Sequence, residues 1–418
     1  MSLARAGYTL LLWLLLPQAL LHLLRRSRRQ PAYREHLGER FGRYAFTVEQ
    51  PLLWVHAVSV GETRAAEPLV AALARKYPGH RILLTHMTPT GRETGLALFG
   101  ERVARAYLPY DFPFAVARFL DHFKPACGIV LETEIWPNLI AACRARDIPL
   151  YLLNARLSDK SFGRYRRFAS LAAEALRGLR AIAAQGAEDA ERLRALGAPA
   201  VTVTGSVKFD MAADAALVAR GGEWRAQIGA ARPVLLLAST REGEEALLLD
   251  ALRGVDLPGL LTVLVPRHPQ RFDEVAALAA RGGWRLQRRS AGEPVAAATQ
   301  LLLGDSMGEM AAYYAACDVV VMGGSLLPFG AHNLIEACAL GKPVVLGPSD
   351  FNFAEAVRLA VAAGAAVQVA DAVAALAAAR ELLVDVARRR RMGEAGAGFV
   401  RAHVGATQRA LDLIDLPR

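Results

Sequence analysis

The sequence predicts an α/β protein: two Rossmann-like domains, each a parallel sheet covered by helices on both faces, behind one apolar N-terminal helix. Three observations carry this reading. Short apolar runs alternate with amphipathic helical stretches, twice over, along the 418 residues, the pattern of parallel sheets buried on both sides. Val321–Pro348 holds one complete unit of apolar run, glycine loop, helix and apolar run, the repeat of a doubly wound sheet. Finally, Ala6–Leu24 is apolar apart from Tyr8, Thr9, Gln18 and His22.

The N-terminal segment comes first. As a helix, Ala6–Leu24 would be about 28 Å long, close to the hydrocarbon thickness of a bilayer. Arg25-Arg26-Ser27-Arg28-Arg29 follows at once. A cleaved signal peptide places its charge before the apolar run, whereas here the heavier charge comes after. The positive-inside rule then puts the main body in the cytoplasm. Pro17 and the marginal length leave an interfacial, half-inserted helix as an alternative, and a soluble core helix as a third. The domain boundaries read as 1–29 for anchor and basic flank, 30–211 for the first domain and 212–418 for the second, whose last helix is expected to cross back to the first.

In the first domain Leu52–Val58 reads as a buried strand, Ser59–Thr63 as a loop and Arg64–Lys76 as a helix. Strands follow at Arg81–Thr85, Gly128–Leu131, Leu150–Leu153, Ala181–Ala184 and Val201–Val203. Alanine-rich Ala212–Arg232, with Gly221-Gly222, reads as the linker. The second domain has strands at Val234–Leu237, Thr262–Val265, Gln300–Leu303, Val319–Met322 and Val344–Leu346. A helix is expected from His332-Asn333 to Gly341. Ligands of such sheets sit at the C-terminal ends of the strands, where each loop discussed below falls. The two halves echo each other as strand, Gly-Glu loop and helix, which suggests two nucleotide-binding-type units facing across a cleft.

Composition narrows the function. Hydrophobic residues make up 53% and mean hydropathy is +0.22, far too low for a multispanning protein. A net charge of +10 suits nucleic acid, an anionic membrane surface or an anionic substrate. No nucleic-acid module is visible and the basic residues cluster near the anchor, so nucleic acid fits poorly. Cys127, Cys143, Cys317 and Cys338 form no CxxC pair and read as reduced core residues of a cytosolic compartment. No metal signature, P-loop or cofactor motif occurs.

Several charged residues stand at strand ends. Glu62 could take a proton from a hydroxyl nucleophile, or be a helix-start acid favoured by the dipole. Glu132 and Glu134 flank Thr133 and could perturb each other, or be one solvated and one capping acid. Lys208 and Arg267 could neutralise a phosphate leaving group, or be surface cations. Gly308-Glu309 could offer backbone N–H groups to a phosphate or bind a base. In the glycine loop, Gly323-Gly324 allows close backbone approach and the helix start suits a phosphate. Glu336, a turn further on, could reach a ribose hydroxyl. Trp136 reads as a core aromatic or a sugar-stacking platform. Arg156, Lys160, Arg164, Arg166 and Arg167, with Phe162, Tyr165 and Phe168, form either a solvated face or a contact with anionic headgroups.

Taken together, these loops resemble the membrane-anchored 3-deoxy-D-manno-octulosonate (Kdo) transferases of lipopolysaccharide assembly. The motifs are His56-Ala57-x-Ser59-x-Gly61-Glu62, Glu132-Thr133-Glu134-x-Trp136-Pro137-Asn138, Asn154–Ser158, Lys208-Phe209-Asp210, Ser239-Thr240-Arg241-x-Gly243-Glu244-Glu245, Pro266–Pro269, Gly304-Asp305-x-Met307-Gly308-Glu309 and Gly323-Gly324-Ser325. The resemblance implies a GT-B fold and an inverting, metal-independent transfer of Kdo from CMP-Kdo to a lipid A precursor such as lipid IVA, at the cytoplasmic face of the bacterial inner membrane. It implies Glu62 as general base, and Glu132 and Lys208 as transition-state stabilisers. It implies CMP contacts at Pro266, Arg267, Met307, Gly308, Glu309, Asn333, Leu334, Ile335 and Glu336. Departures from the pattern are Ser206, Ala238, Ala331, Leu334-Ile335 and Ser349. The competing readings are a GT-B enzyme with another nucleotide sugar and a non-catalytic membrane scaffold.

Overall fold

The computed structural model describes residues 2–416. The chain divides into two compact units: residues up to Met211 together with those from Gly405 onward, and Ala212–Val404. The first begins with helix α1, Leu3–Arg29, long and apolar enough to cross a membrane.

The first unit holds a seven-stranded sheet with β1 Leu52–His56, β2 Arg81–His86, β3 Val103–Tyr107, β4 Cys127–Leu131, β5 Leu150–Ala155, β6 Ala181–Ala184 and β7 Val201–Val203. The order is β3-β2-β1-β4-β5-β6-β7, and β1 runs parallel to both β2 and β4. Side chains alternate along a strand, and β1 shows the result. Leu52 and Trp54 enter one core with Phe119 and Leu152, while Leu53 and Val55 enter another with Leu69 and Leu153. With apolar cover on both faces, the strand is buried throughout.

The second unit holds β8 Val234–Thr240, β9 Leu261–Pro266, β10 Leu286–Arg288, β11 Leu301–Leu303, β12 Val319–Met322, β13 Val344–Leu346 and β14 Ala366–Gln368. Their order is β10-β11-β9-β8-β12-β13-β14, with β12 parallel to β8 and β13. In the first sheet the chain winds outward from β1 in two directions, as a doubly wound fold requires; the second does so from β8, except that β11 returns to lie between β9 and the edge strand β10.

The expected elements differ in four places. Ala212–Arg232 is no linker: it contains the helix Ala215–Ile228, capped by Asp214. Gly221 allows this helix to lie against Met310–Ala316, since a Cβ there would fall 2.3 Å from the Ala312 carbonyl oxygen. The final segment, placed in the second domain by the boundaries above, belongs to the first unit: Leu411 and Ile414 enter the core that holds Leu53 and Val55. The helix expected over Arg64–Lys76 is two, Val60–Ala65 and Glu67–Lys76, because Pro68 lacks the N–H that continuity requires. The helix expected from His332 starts at Ile335 and ends at Ala339, after a turn in which the Asn333 side chain accepts the Ile335 N–H.

Candidate active site

In the first unit the loops after β1, β4 and β7 bring Glu62, Glu132 and Lys208 together. Ser59 caps the helix Val60–Ala65, and Glu62 closes the reciprocal arrangement. The Ser59 hydroxyl donates to the Glu62 carboxylate at 3.0 Å and the Val58 N–H donates to it at 2.9 Å. This is a capping box in outline, so Glu62 is indeed a helix-start acid. Its environment adds more. Burial, and next the charge of Glu132, push its carboxyl up to about 7 despite those hydrogen bonds.

Glu132 has φ +60°, a left-handed conformation that costs a non-glycine residue energy. Its carboxylate meets the Lys208 ammonium at 2.9 Å, with both side chains about one-fifth exposed. Glu134 turns aside: its carboxylate accepts the Trp136 indole N–H at 2.7 Å, and burial raises its pKa. Trp136 packs against the domain core and meets the His56 ring edge-on at 6.2 Å.

Motif residues given no role by sequence alone hold this cluster. The Val207 N–H donates to Asn154 Oδ1 at 3.2 Å, which fixes the turn carrying Lys208. His56 is fully buried with its Nδ1 2.9 Å from Thr85 Oγ1, and burial drives its pKa down to about 3, so it is a neutral scaffold under the Glu62 loop. Asp210 accepts N–H groups of Gly405 at 2.6 Å and Thr407 at 2.5 Å.

In the second unit Pro266 ends β9, and the Arg267 N–H donates to the Thr240 carbonyl at 2.9 Å. Charge gathers around it. His332 has its pKa lowered to about 4, by burial first and then by the charges of Arg267, Arg241 and His268. Its Nε2 is buried without a hydrogen-bond partner. Such a concentration of cationic side chains suits an anionic ligand. Met307 is exposed. Glu309 pairs with Arg220 at 3.0 Å and Arg289 at 3.2 Å, so its side chain is engaged within the unit. Asn333 Oδ1 accepts the Ile335 N–H at 3.1 Å. Leu334 and Ile335 are buried, and Glu336 lies in the helix's first turn.

The glycine loop after β12 packs so tightly that a Cβ on Gly323 would lie 2.5 Å from the Ser239 carbonyl oxygen. A fully buried carboxylate holds the loop. Glu244 accepts N–H groups of Gly324 at 2.7 Å, Leu326 at 2.9 Å and Arg241 at 2.8 Å. Arg271 Nη1 donates to both carboxylate oxygens of the adjoining Glu245, at 2.7 and 2.8 Å. The sequence signal was an acid pair opening a helix whose other residues, Asp250 apart, are apolar. Among the described residues no group of three or more His, Cys, Asp or Glu side chains is placed to hold a metal ion.

Residues 35–211 match the model of the 3-deoxy-D-manno-octulosonic-acid transferase (kdotransferase) family, and residues 282–399 that of glycosyl transferases group 1. The chain is 47% identical to a 3-deoxy-D-manno-octulosonic acid transferase of Bordetella pertussis, over 98% of this chain and 99% of that one. It is 38% identical to one of Haemophilus influenzae, over 98% of each. Among solved structures, a glycosyltransferase from Rickettsia africae aligns with TM-score 0.60 at 14% identity, over 87% of this chain and 98% of that one. A UDP-GlcNAc 2-epimerase from Neisseria meningitidis aligns with TM-score 0.59 at 15% identity, over 87% and 99%. These two share the fold, which is of the GT-B type. Two doubly wound sheets, the motif loops at their strand ends and full-length identity approaching one half lead to one conclusion: the chain belongs to the Kdo transferases, a family of glycosyltransferases.

Proposed function

We propose that this Kdo transferase moves Kdo from CMP-Kdo to a lipid A precursor such as lipid IVA, at the cytoplasmic face of the inner membrane, with inversion and without a metal ion. The observation that carries the reading is the Glu62–Glu132–Lys208 cluster. A general base works best with a pKa near the working pH, and Glu62 lies near 7 because it is half-buried beside Glu132. The acceptor hydroxyl oxygen attacks the anomeric carbon of Kdo as its proton passes to Glu62. The bond from that carbon to the phosphate oxygen breaks, and CMP leaves with the electron pair. Lys208, held by Glu132, offers positive charge as this charge develops.

In the second unit Arg267 and its cationic neighbours take the phosphate. Pro266 keeps that loop rigid, and Met307, Gly308 and Glu309 meet the nucleotide through side chain and backbone. Asn333, Leu334 and Ile335 present Glu336 to the ribose. A monophosphate-activated donor needs one phosphate neutralised, which side-chain cations can do without a metal. Incubation of the purified chain with CMP-Kdo and lipid IVA should give products heavier by whole Kdo units in the mass spectrum. CMP should raise the melting temperature and UDP should not. Protection by UDP in place of CMP would point to a different nucleotide sugar.

A further inference from the structure

Helix α1 lies along the first unit by one face. Arg5 pairs with Glu174 at 3.4 Å, and the Ser2 hydroxyl donates to the same carboxylate. Tyr8 hydrogen-bonds Asp111. Asn138 Nδ2 donates to Thr9 Oγ1 at 3.0 Å and to the Asp111 carbonyl at 2.7 Å. The Trp13 ring sits 4.7 Å from Phe112 and 5.8 Å from Phe114. In the first turns Ala4, Arg5, Ala6, Tyr8 and Thr9 are half-buried, and beyond them the less exposed positions recur once per turn, at Leu12, Leu16, Leu20, Leu23 and Ser27. The opposite face carries Leu3 at 93%, Leu10 at 61%, Leu14 at 69% and Leu21 at 49% exposed, then exposed Arg25 and Arg28.

The other end of α1 returns to the same unit. Arg34 Nε donates to Ser27 Oγ at 2.9 Å. Five residues on, Glu39 pairs with Arg92 at 2.6 Å and accepts the Tyr107 N–H at 2.7 Å. Arg40, 2% exposed, stacks 4.3 Å from the Tyr107 ring. A helix whose first three turns and following chain both sit on one water-facing body cannot also cross a bilayer. Crossing takes about 20 apolar residues, and would carry Arg5, Glu174 and Asp111 into hydrocarbon. The stretch beyond the docked turns, Leu14–Leu24, covers only about 16 Å.

We infer that α1 is a monotopic seat: it lies in the plane of an anionic bilayer, leucine face in the acyl boundary and Arg25 and Arg28 among the headgroups, with both ends on the side of the catalytic body. The inference rests on the membrane-associated reading proposed above. An apolar face flanked by arginines is the composition that binds such an interface in plane. It assigns Asn138, at the end of the Glu132–Asn138 motif, the task of docking the seat, as a positioning residue.

The test uses the full chain in bacterial membranes, and its readout is topology, so a failure of the Kdo reading would leave it standing. In a Ser2→Cys/Glu174→Cys variant, a short bis-maleimide should capture most of the protein as an intramolecular cross-link, seen as intact mass plus one linker. In Ser2→Cys alone, a membrane-impermeant maleimide should label lysed membranes and leave intact spheroplasts unlabelled; the native cysteines are all buried. Absence of the cross-link in membranes, or labelling of Ser2→Cys from outside intact spheroplasts, would each overturn the inference.

Discussion

Glu62 answers to two constraints at one position. It closes the cap of a short helix, and it stands half-buried beside a second carboxylate. The folded-state pKa near 7 lies above the ordinary 4.5, so the folded protein holds this proton more tightly than the unfolded chain. Stability from the group is complete below about 4.5 and is lost as pH rises through 7, by at most about 3 kcal/mol. Catalysis has the opposite need, since the base must be ionised. Transfer should therefore rise with pH through 7. Glu62→Gln should lower kcat by about 10²–10⁴-fold, while its melting temperature relative to wild type improves from pH 5 to pH 8 in thermal scans. Unchanged activity would sink the base assignment. Ala331 is the second residue with a cost built in. It sits at φ +59° and 1% exposed, in the loop just before His332. Left-handed backbone costs about 1–2 kcal/mol without glycine, and glycine's unfolded-state freedom returns about 0.4–1 kcal/mol of that. Ala331→Gly should stabilise the chain by up to about 1 kcal/mol, read by denaturant unfolding. The sequence marked Ala331 as odd from the motif alone, but only the backbone angle says why.

At the scale of elements, most strands that could be read from sequence are buried on both faces, such as β1, β8 and β12, the exposed edge strand β7 being an exception. The unread ones, β3, β10 and β14, are all edge strands. β10 has only half-buried positions and β3 has two, so neither shows a continuous apolar run. The helix Glu244–Leu252 was legible as a helix, but its function at the N-terminus was not, because that depends on two loops distant in sequence as well as the adjacent one. Glu244 holds the loops after β8 and β12 through backbone N–H groups, and Glu245 holds the loop after β9 through Arg271. In Glu244→Gln one carboxylate oxygen becomes an NH2 that faces backbone donors. An unsatisfied buried donor costs about 1–3 kcal/mol. The variant should melt lower and bind CMP about tenfold more weakly by calorimetry, with KM for the donor rising more than kcat falls. An equal loss in Glu244→Gln and in a distant core variant of matched stability would reduce Glu244 to a fold residue.

For the whole molecule, the chain's return to its first unit has a direct bearing on the site. Asp210 stands two residues from Lys208 and accepts the N–H groups of Gly405 and Thr407. Tyr151 donates its hydroxyl to the Asp415 carbonyl at 2.8 Å, and Lys76 its ammonium to that of Leu411 at 3.0 Å. The turn carrying Lys208 is thus pinned on one side by Asn154 and on the other by the last segment of the chain. Sequence order gave a Lys-Phe-Asp motif and a final helix expected to cross back. It held no sign that the aspartate receives that segment, because the bond joins residues nearly two hundred positions apart. Asp210→Ala should orphan two backbone donors and loosen the Lys208 turn. We expect a stability loss of about 1–3 kcal/mol and a fall in kcat larger than any change in CMP affinity, since the nucleotide contacts proposed here lie in the other unit. Truncation after Val404 goes further. It removes Leu411 and Ile414, each 3% exposed, and buried aliphatics are worth about 2–5 kcal/mol apiece, against a typical total of about 5–15 kcal/mol. Calorimetry of the truncated chain should show the first unit's transition lost or shifted far down while the second unit, which contains no part of that segment, still melts cooperatively and still responds to CMP. A single unshifted transition would mean that the returning segment supports neither the fold of the first unit nor the position of Lys208.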